Sequence, residues 1–402
     1  MDMNEGCEAV KDVVIVEAKR TPIGKMNGML QQVSAKDLAK LVLANLIEET
    51  NTPTEEIDEI IVGNVDAPSD APNIGRIAAL ELGLKKDIRT YMVNQNCSSG
   101  MQALINGTQA IRLGDADVEI ILGTESMSQI PYIVKGARSG FKLRHQTLID
   151  RVWEMLHDPY VNMMMGETAE NVAEKYGISR EEQDEYALQS YERAKSAQQN
   201  GTFEKEIVPV VVQDRKGSKT YHQDELGNTP VTLNDLSKMK PAFKKDGTVT
   251  SGNACGMNDG AAGVVLMNSE KATELGMKPK AKILSYATVG LDPAVMGLGP
   301  IYAVPKALEK AGLSKEDIDI FEINEAFAAQ TIACIKQLQL DAKKVNPFGG
   351  AIALGHPVGA TGVRLLVTLL NGLERANGKY GVATLCVGGG LGAAVVIERM
   401  VE

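Results

Sequence analysis

A cysteine lies at a junction between two sequence patterns. In NQNCSSGMQAL, residues 94–104, Cys97 stands where an apolar, strand-like run ends and a helix-like run begins. The unpaired backbone N–H groups and the positive dipole end of a helix N-terminus stabilise anions. We therefore expect the Cys97 thiol to ionise more easily than a free thiol and to act as a nucleophile. A lone cysteine is more often a small buried hydrophobe, so a catalytic role requires a partner.

An internal repeat supplies that partner. Three landmarks recur at a nearly constant shift: TEEIDEIIVGN recurs as SKEDIDIFEIN, Cys97 with Gly100 as His356 with Gly359, and IILG, ending at Gly123, as ATLC, ending at Cys386. Two similar halves are therefore predicted. If they pack about a pseudo-twofold axis, Cys97 and His356 meet, and the imidazole can accept the thiol proton. A histidine considered alone is more often satisfied within a loop, and it is the matched position that favours a base.

Two further polar residues lie where predicted strands end. Cys386 ends VATLC and precedes VGGGLG, whose glycines let backbone N–H groups approach a ligand and donate to an oxyanion. The spacing of these glycines differs from that of a dinucleotide-binding loop. Asn324, in INEAFAA, lies at the carboxyl edge of a strand, where active sites of parallel sheets occur. Asn is equally typical of a helix N-cap, and the sequence leaves both roles open for Asn324.

The elements that position these residues follow an α/β order. VVIVEA, IDEIIVGN, TYMVNQ and VEIILGT are predicted strands, and helices follow a Ser34/Asp37 capping box and Ser98. Strands that alternate with helices predict a parallel sheet. The pattern changes to mixed helices and polar loops in the middle of the chain, which predicts an insertion over a two-half core. The predicted domains are residues 1–126 with 258–278, an inserted loop domain at 127–257, and residues 279–402.

Composition excludes several classes of protein. The 402 residues carry a formal net charge of −10, so no global basic field attracts nucleic acid or an anionic membrane surface. The five cysteines contain no C-x-x-C pair, which argues against a disulfide framework or a zinc site. They are Cys7, Cys97, Cys255, Cys334 and Cys386. No signal peptide, transit peptide or membrane span is expected, and a cytoplasmic location fits best.

Taken together, these motifs resemble the thiolase family over essentially the whole chain. NQNCSSG is similar to the family's nucleophile motif, NEAFA to its Asn motif, GGAIALGHPVGATG to its catalytic His motif and LCVGGG to its second-cysteine motif. GNACGMNDGAA is similar to the stretch that leads from the inserted loop domain back into the core. The resemblance implies a thiolase fold, in which two βαβαβαββ halves form a five-layered αβαβα core with an inserted loop domain.

The resemblance also implies a role for each motif residue. Cys97 is the nucleophile that becomes acylated, His356 is the base that activates it, and Cys386 moves the proton at the carbon of the second substrate. Asn324, through a water, joins His356 in one oxyanion hole. The backbone N–H groups of Cys97 and Gly388 form the other.

The implied reaction is the reversible condensation of two acetyl-CoA to acetoacetyl-CoA and CoA. It proceeds by ping-pong exchange through the Cys97 thioester and needs no metal or redox cofactor. The implied partners are these CoA thioesters, CoA and a second copy of the chain, as a homodimer or as a homotetramer built through residues 127–141. The alternatives are a degradative 3-ketoacyl-CoA thiolase of broader chain length, a catalytically idle thiolase-like subunit, and a decarboxylating ketoacyl synthase. The synthase is disfavoured because it would carry His or Asn in place of Cys386.

Family members bind the acyl and pantetheine groups at positions that this chain also carries. The implied lining residues are Met165, Phe243, Ser251, Cys255, Met296, Ala326 and Phe327. The chain departs from frequent family residues at three places: Cys255 replaces Ser, Met164 replaces His, and Asn228 replaces an Arg near the CoA nucleotide. The CoA phosphates therefore require other cations, for which the candidates are Arg215, Lys216, Lys238 and Lys240.

Overall fold

The computed structural model describes residues 11–215 and 217–401, and Cys7 and Lys216 lie outside that range. Four strands and three helices begin the first half, together with one short strand. They are β1 (Val13–Arg20), β2 (Gly24–Lys25), α1 (Ala35–Thr50), β3 (Glu59–Gly63), α2 (Ile74–Glu81), β4 (Arg89–Val93), α3 (Ser99–Leu113) and β5 (Val118–Ser126). Ser34 caps α1 by accepting the N–H of Asp37, as its capping pattern predicted.

Short strands and helices of mixed length follow β5. They are β6 (Tyr132–Ile133), β7 (Ile149–Asp150), α4 (Arg151–Met155), β8 (His157–Asp158), β9 (Met163–Met164), α5 (Met165–Tyr176), α6 (Arg180–Gln199), β10 (Val210–Asp214), β11 (Gly217–Tyr221) and α7 (Leu233–Ser237). Their strands pair only locally, as three two-stranded ribbons, within the part of the chain that the structure describes. A buried ion-pair cluster, in which Arg20 of β1 binds Glu206 and Asp224, fastens this region to the core.

The remaining elements return to the αβ order. They are β12 (Asn258–Asn268), α8 (Ser269–Glu274), β13 (Ala281–Gly290), α9 (Gly299–Ala311), β14 (Ile320–Ile323), α10 (Ala328–Leu338), α11 (Ala351–Leu354), α12 (Val358–Ala376), β15 (Tyr380–Val387) and β16 (Leu391–Arg399). No helix among the described residues has the length and unbroken apolar character needed to cross a bilayer.

The two halves have the same strand order. In the first half it is β1-β12-β5-β3-β4, and in the second β13-β16-β15-β14, with Val345 adding a parallel bridge beside Phe321. The halves join where β1 pairs with the start of β13. The predicted parallel pairing holds for β3 with β4 and β5, and for β14 with β15, whereas β12 and β16, for which no strand was predicted, run antiparallel to β5 and β15. The β15–β16 pair is a direct hairpin without a crossover helix, so its strands must be antiparallel.

The five-layered αβαβα arrangement is confirmed. Helices α1 and α2 cover the outer face of the first sheet, and α9 covers that of the second. Between the sheets lie α3 and α12, whose apolar side chains share one core with both sheets. Every residue of α12 from 358 to 373 is buried, because a helix between two sheets has no solvent-facing side.

Candidate active site

Glycines bring the N-terminal turns of the two central helices into contact. A Cβ on Gly100 of α3 would lie 2.8 Å from the carbonyl oxygen of Gly359, and one on Gly362 would lie 2.4 Å from the backbone N of Met101. The residues just before α3 and α12 therefore meet at one end of the central layer. Cys97 and His356 occupy equivalent places there, each two residues before its helix, and Cys97 packs against the apolar cluster that contains Val358. The repeat-based pairing of the two positions agrees with this geometry.

A tight turn holds the loop that carries Cys97. Asn96 has a left-handed φ of 48°, and Ser99 Oγ accepts the N–H of Gln95 at 2.9 Å and donates to Asn96 O at 2.6 Å. The side-chain amide of Asn96 donates to Gly388 O at 2.8 Å. This bond ties the Cys97 loop to the turn that follows Cys386.

Burial governs the ionisation of Cys97. Removal from water raises the pKa of the partly buried thiol, while the N–H groups of Gly388 and of Cys97 itself lower it and the charge of Glu125 raises it. The expectation of an easily ionised thiol is therefore wrong for the resting enzyme. The helix junction does provide N–H groups, but the cost of burying a thiolate exceeds their effect.

His356 is fixed in one tautomer. Its Nδ1 lies 2.6 Å from Thr361 Oγ1, and that hydroxyl donates its single hydrogen to Pro357 O at 2.9 Å. Nδ1 must therefore carry the proton and donate it, which leaves the lone pair on Nε2. Burial, with a contribution from the charge of Arg364, lowers the pKa of His356 to about 3. The resting ring is a neutral base, and Nε2 has no hydrogen-bond partner among the described residues.

Cys386 lies in an apolar pocket beside the Cys97 loop. It is buried, and burial raises its pKa well above the usual value. Five of the seven predicted substrate-binding residues share this cluster: Met165, Phe243, Met296, Ala326 and Phe327. The Phe243 and Phe327 rings meet edge to face with centroids 6.1 Å apart.

The other two predicted lining residues differ in position. The backbone N–H of Cys255 donates to Ala326 O at 3.0 Å, so Cys255 borders the pocket. Ser251 is exposed, and its hydroxyl contacts Met239 Sδ at 3.8 Å, which places it outside the cluster. The candidates for phosphate contact that the structure describes are exposed to solvent: Arg215, Lys238 and Lys240. Asn228 is exposed as well.

Glycines shape the turn after Cys386. Gly389 and Gly390 have φ values of 92° and 79°, and a Cβ on Gly390 would lie 2.3 Å from Leu291 O. A Cβ on Gly388 would lie 3.1 Å from Met165 Sδ. Larger residues are excluded here by backbone conformation and by space, which allows the N–H of Gly388 to reach the Cys97 sulfur.

Asn324 is not a helix cap. Helix α10 begins at Ala328 after Phe327, four residues further on. The backbone N–H of Asn324 donates to Thr384 O at 3.0 Å, while the buried side-chain amide has no partner among the described residues. The N-cap alternative is therefore wrong, because Phe327 and not Asn324 precedes the helix. An unpaired buried amide is costly, and this one lies at the carboxyl edge of β14.

Several residues of the site were missed at the sequence level. Thr361 sets the His356 tautomer, Asn96 joins two loops, and Asn258 Oδ1 accepts the N–H of His356 at 2.9 Å. Glu125, near the end of the buried β5 strand, accepts four hydrogen bonds in this region. A charged residue directly after the predicted strand VEIILGT was the available signal for Glu125.

The fold and the site together define a class of protein. The family model described as thiolase, N-terminal domain, matches residues 13–270, and that described as thiolase, C-terminal domain, matches residues 277–399. The chain belongs to the thiolase family.

Particular members of that family are similar over nearly their whole length. The chain is 48% identical over 390 residues to the acetyl-CoA acetyltransferase of Chromobacterium violaceum, across 96% of this chain and 100% of that protein. The crystal structure of the Bacillus anthracis acetyl-CoA acetyltransferase matches with a TM-score of 0.96 and 45% identity, across 98% of this chain and 100% of that one. Human mitochondrial 3-ketoacyl-CoA thiolase in complex with CoA matches with a TM-score of 0.93 and 43% identity, across 98% and 99%.

Proposed function

We propose that this protein is an acetyl-CoA C-acetyltransferase that interconverts two acetyl-CoA with acetoacetyl-CoA and CoA. The observation that carries the proposal is that Cys97 and His356 each lie two residues before helices that meet at Gly100 and Gly359, while His356 Nε2 has no partner among the described residues. The similarity of the chain to proteins named acetyl-CoA acetyltransferase supports the choice of substrate.

The protonation states at rest fit the thiolysis direction without adjustment. The Cys97 proton moves to His356 Nε2 as the Cys97 sulfur attacks the ketone carbon of acetoacetyl-CoA. The negative charge that develops on oxygen is stabilised by backbone N–H donors, for which Cys97 and Gly388 are the candidates. The C2–C3 bond then breaks, the acetyl group stays on Cys97, and an acetyl-CoA enolate forms.

The second stage returns every proton. Cys386, a thiol at rest, protonates the enolate, and the first acetyl-CoA leaves. Cys386 as thiolate then takes the proton of an incoming CoA thiol, which attacks the acetyl-Cys97 carbonyl. The Cys97 thiolate leaves and recovers its proton from His356. Stabilisation of the negative charge on the enolate oxygen is assigned to His356 and, through a water, to Asn324. The same steps reversed give condensation.

The CoA moiety is assigned to the inserted loop domain. We propose that residues 127–257 supply CoA contacts and that residues 1–126 with 258–278 and residues 279–402 supply the chemistry. Exposed Lys238 and Lys240 are the candidate phosphate contacts. Replacing both with Gln is expected to raise the KM for CoA without lowering kcat, and an unchanged KM would remove them from the assignment.

Mass spectrometry of the intact protein tests the chemistry. Acetoacetyl-CoA is expected to leave an acetyl group on Cys97, and added CoA is expected to release it as acetyl-CoA. Cys386→Ala is expected to keep acetylation of Cys97 from acetyl-CoA better than carbon–carbon bond formation. Cys334→Ala is the matched control, because this thiol is also buried and its sulfur contacts Gly297 O. A folded protein without an adduct on Cys97 would favour the idle-subunit alternative.

The broader-chain alternative concerns the same pocket. It is favoured by the similarity to a protein named 3-ketoacyl-CoA thiolase and by the flexible Met165 and Met296 side chains near Cys386. Comparing kcat/KM for acetoacetyl-CoA with six- and eight-carbon 3-oxoacyl-CoA decides between the two. A steep fall with chain length supports the acetyl-specific proposal.

We further propose a cytoplasmic homodimer or homotetramer in which the predicted segment 127–141, extended to residue 160, makes contacts between copies. Large apolar side chains of this segment are exposed, and they include Tyr132, Phe141, Leu143, Leu148, Trp153 and Tyr160. Several large exposed apolar side chains within one segment favour an interface. Sedimentation of the wild type and of Leu143→Asp tests the assignment, and an unchanged mass for the variant would contradict it.

A further inference from the structure

A carboxylate of the first half receives hydrogen bonds from both halves. Glu125, at the end of β5, is 1% exposed. Its Oε1 accepts from Asn64 Nδ2 at 2.9 Å and from the N–H of Asp66 at 3.2 Å. Its Oε2 accepts from the N–H of Val65 at 3.0 Å and from the N–H of Gly359 at 3.1 Å. Both oxygens are engaged, and all four partners are N–H donors.

The bond to Gly359 holds the helix that follows His356. Gly359 is the second residue of α12, and the N-cap Pro357 makes no side-chain capping bond. Glu125 therefore supplies from another strand the acceptor and the negative charge that a helix N-terminus favours. A Cβ on Gly359 would lie 2.7 Å from Glu125 Oε2, so this approach requires glycine. Glu125 thus fixes the start of α12 against β5.

A chain of hydrogen bonds continues from Glu125 to the Cys97 loop. The carbonyl of Val65 accepts from Asn94 Nδ2 at 3.0 Å, and Asn94 Oδ1 accepts the N–H of Asn96 at 3.1 Å. Asn96 Nδ2 then donates to Gly388 O at 2.8 Å. The loops that carry the base, the nucleophile and the Gly388 turn are linked through one carboxylate.

The charged form of Glu125 is the one that suits its partners. Burial raises its pKa to about 7, while the N–H groups of Val65, Asp66 and Gly359 lower it and the charge of Asp66 raises it. Asp66 is itself paired with Arg151 at 2.5 Å. A protonated carboxyl would direct an O–H toward N–H donors, so the network is complete only with the carboxylate.

We propose that Glu125 is a positioning residue, which holds His356, Cys97 and the Gly388 turn in their reactive arrangement through the chain of bonds to Gly359 and Asn94. This inference rests on the proposed function. Glu125 acts through other groups and does not itself touch the reacting atoms.

Glu125→Gln tests the proposal, because Gln keeps the shape but turns an –NH₂ group toward N–H donors. A displacement on the order of 1 Å costs up to about 100-fold in rate, so kcat for thiolysis of acetoacetyl-CoA is expected to fall by about 10- to 100-fold. The KM is expected to stay within about twofold, because the acyl pocket near Cys386 is untouched. Glu119→Gln is the matched control: Glu119 is a buried carboxylate of the same strand, remote from the site, and kcat should not change.

Asn94→Ala provides a second route to the same result. Asn94 is exposed, so its replacement should not impair folding, and it interrupts the chain between Glu125 and Cys97. A lowered kcat is expected, with less than additive loss in the double variant because both changes break one network. The proposal is overturned if both variants keep kcat within about threefold of the wild type, or if Glu119→Gln loses as much activity as Glu125→Gln. A wild type that forms no acetyl adduct would instead refute the proposed function.

Discussion

Replacing Thr361 with Val isolates the contribution of the His356 tautomer. The two side chains have nearly the same shape, so packing in the buried first turn of α12 is retained. What is lost is the hydroxyl oxygen that accepts the hydrogen bond from His356 Nδ1–H, with 2.6 Å between Nδ1 and Oγ1. The ring must then leave Nδ1–H unpaired or move the proton to Nε2, where it blocks acceptance of the Cys97 proton.

The structure sets the size of the effect. Thr361 is 0% exposed and His356 5% exposed, so water cannot replace the lost partner. A buried donor without a partner costs about 1–3 kcal/mol, which corresponds to about 5- to 160-fold in rate at 1.36 kcal/mol per factor of ten. We expect acetylation of Cys97 to slow by this factor, with substrate binding little changed.

Rapid-quench measurement of acetyl-Cys97 formation from acetoacetyl-CoA provides the assay. Thr361→Ser keeps the hydroxyl and should retain most of the rate. Thr368→Val, on the same helix, removes a buried hydroxyl that binds Glu206 at 3.2 Å, and it should lower stability without slowing acetylation. If Thr361→Val acetylates Cys97 within about twofold of the wild-type rate, the tautomer argument is refuted.

Three further predictions concern side chains that are removed from water in the fold. Because the pKa of Cys97 is raised from 9.0, its alkylation by iodoacetamide should keep accelerating beyond pH 9, and a plateau between pH 6 and 8 would instead indicate a thiolate–imidazolium pair. Burial raises the pKa of Glu119 from 4.5 to about 8, so stability should fall as pH rises through that window. Glu119→Gln should gain about 3 kcal/mol by pH 7 and little at pH 4.5 in denaturant titrations, and a pH-independent gain would contradict this. Asn324→Ala should lower kcat by about 100-fold without lowering the melting temperature, and a loss below about threefold would exclude an oxyanion role.

The placement of Cys97 and His356 was predictable because it depends on local pattern and repetition. Each lies at a strand-to-helix or loop-to-helix junction with glycine three residues later, and that glycine is what lets the two helices touch. The turn after Cys386 was predictable for a similar reason, since three consecutive glycines indicate a close approach of backbone to its surroundings. The two similar halves followed from the same repeat, and the five-layered core was implied by the resemblance to the thiolase family.

The ionisation of Cys97 was predicted in the wrong direction. The argument from the helix N-terminus considered only the nearby N–H groups, which are present, and omitted the desolvation that the surrounding core imposes. The linking roles of Glu125 and Asn94 could not be predicted either, because the partners come together only when β5 and α12, from different halves, pack at Gly359. Strand β16 was not predicted, because the three glycines that form its hairpin with β15 look in sequence like a ligand-binding loop.

The same burial that keeps both thiols protonated also explains why the site is suited to thioester exchange. In a dry pocket a charge is costly at rest, but fixed N–H donors stabilise an oxyanion far more strongly there than in water. His356 with a pKa of about 3 does not hold a proton at neutral pH, so it takes one from Cys97 only as the sulfur bonds to carbon. In the proposed mechanism, charge therefore develops on the substrate oxygen rather than on the free enzyme. The backbone N–H groups of Cys97 and Gly388 are the proposed donors to that oxygen, and Asn96 joins the two loops that carry them.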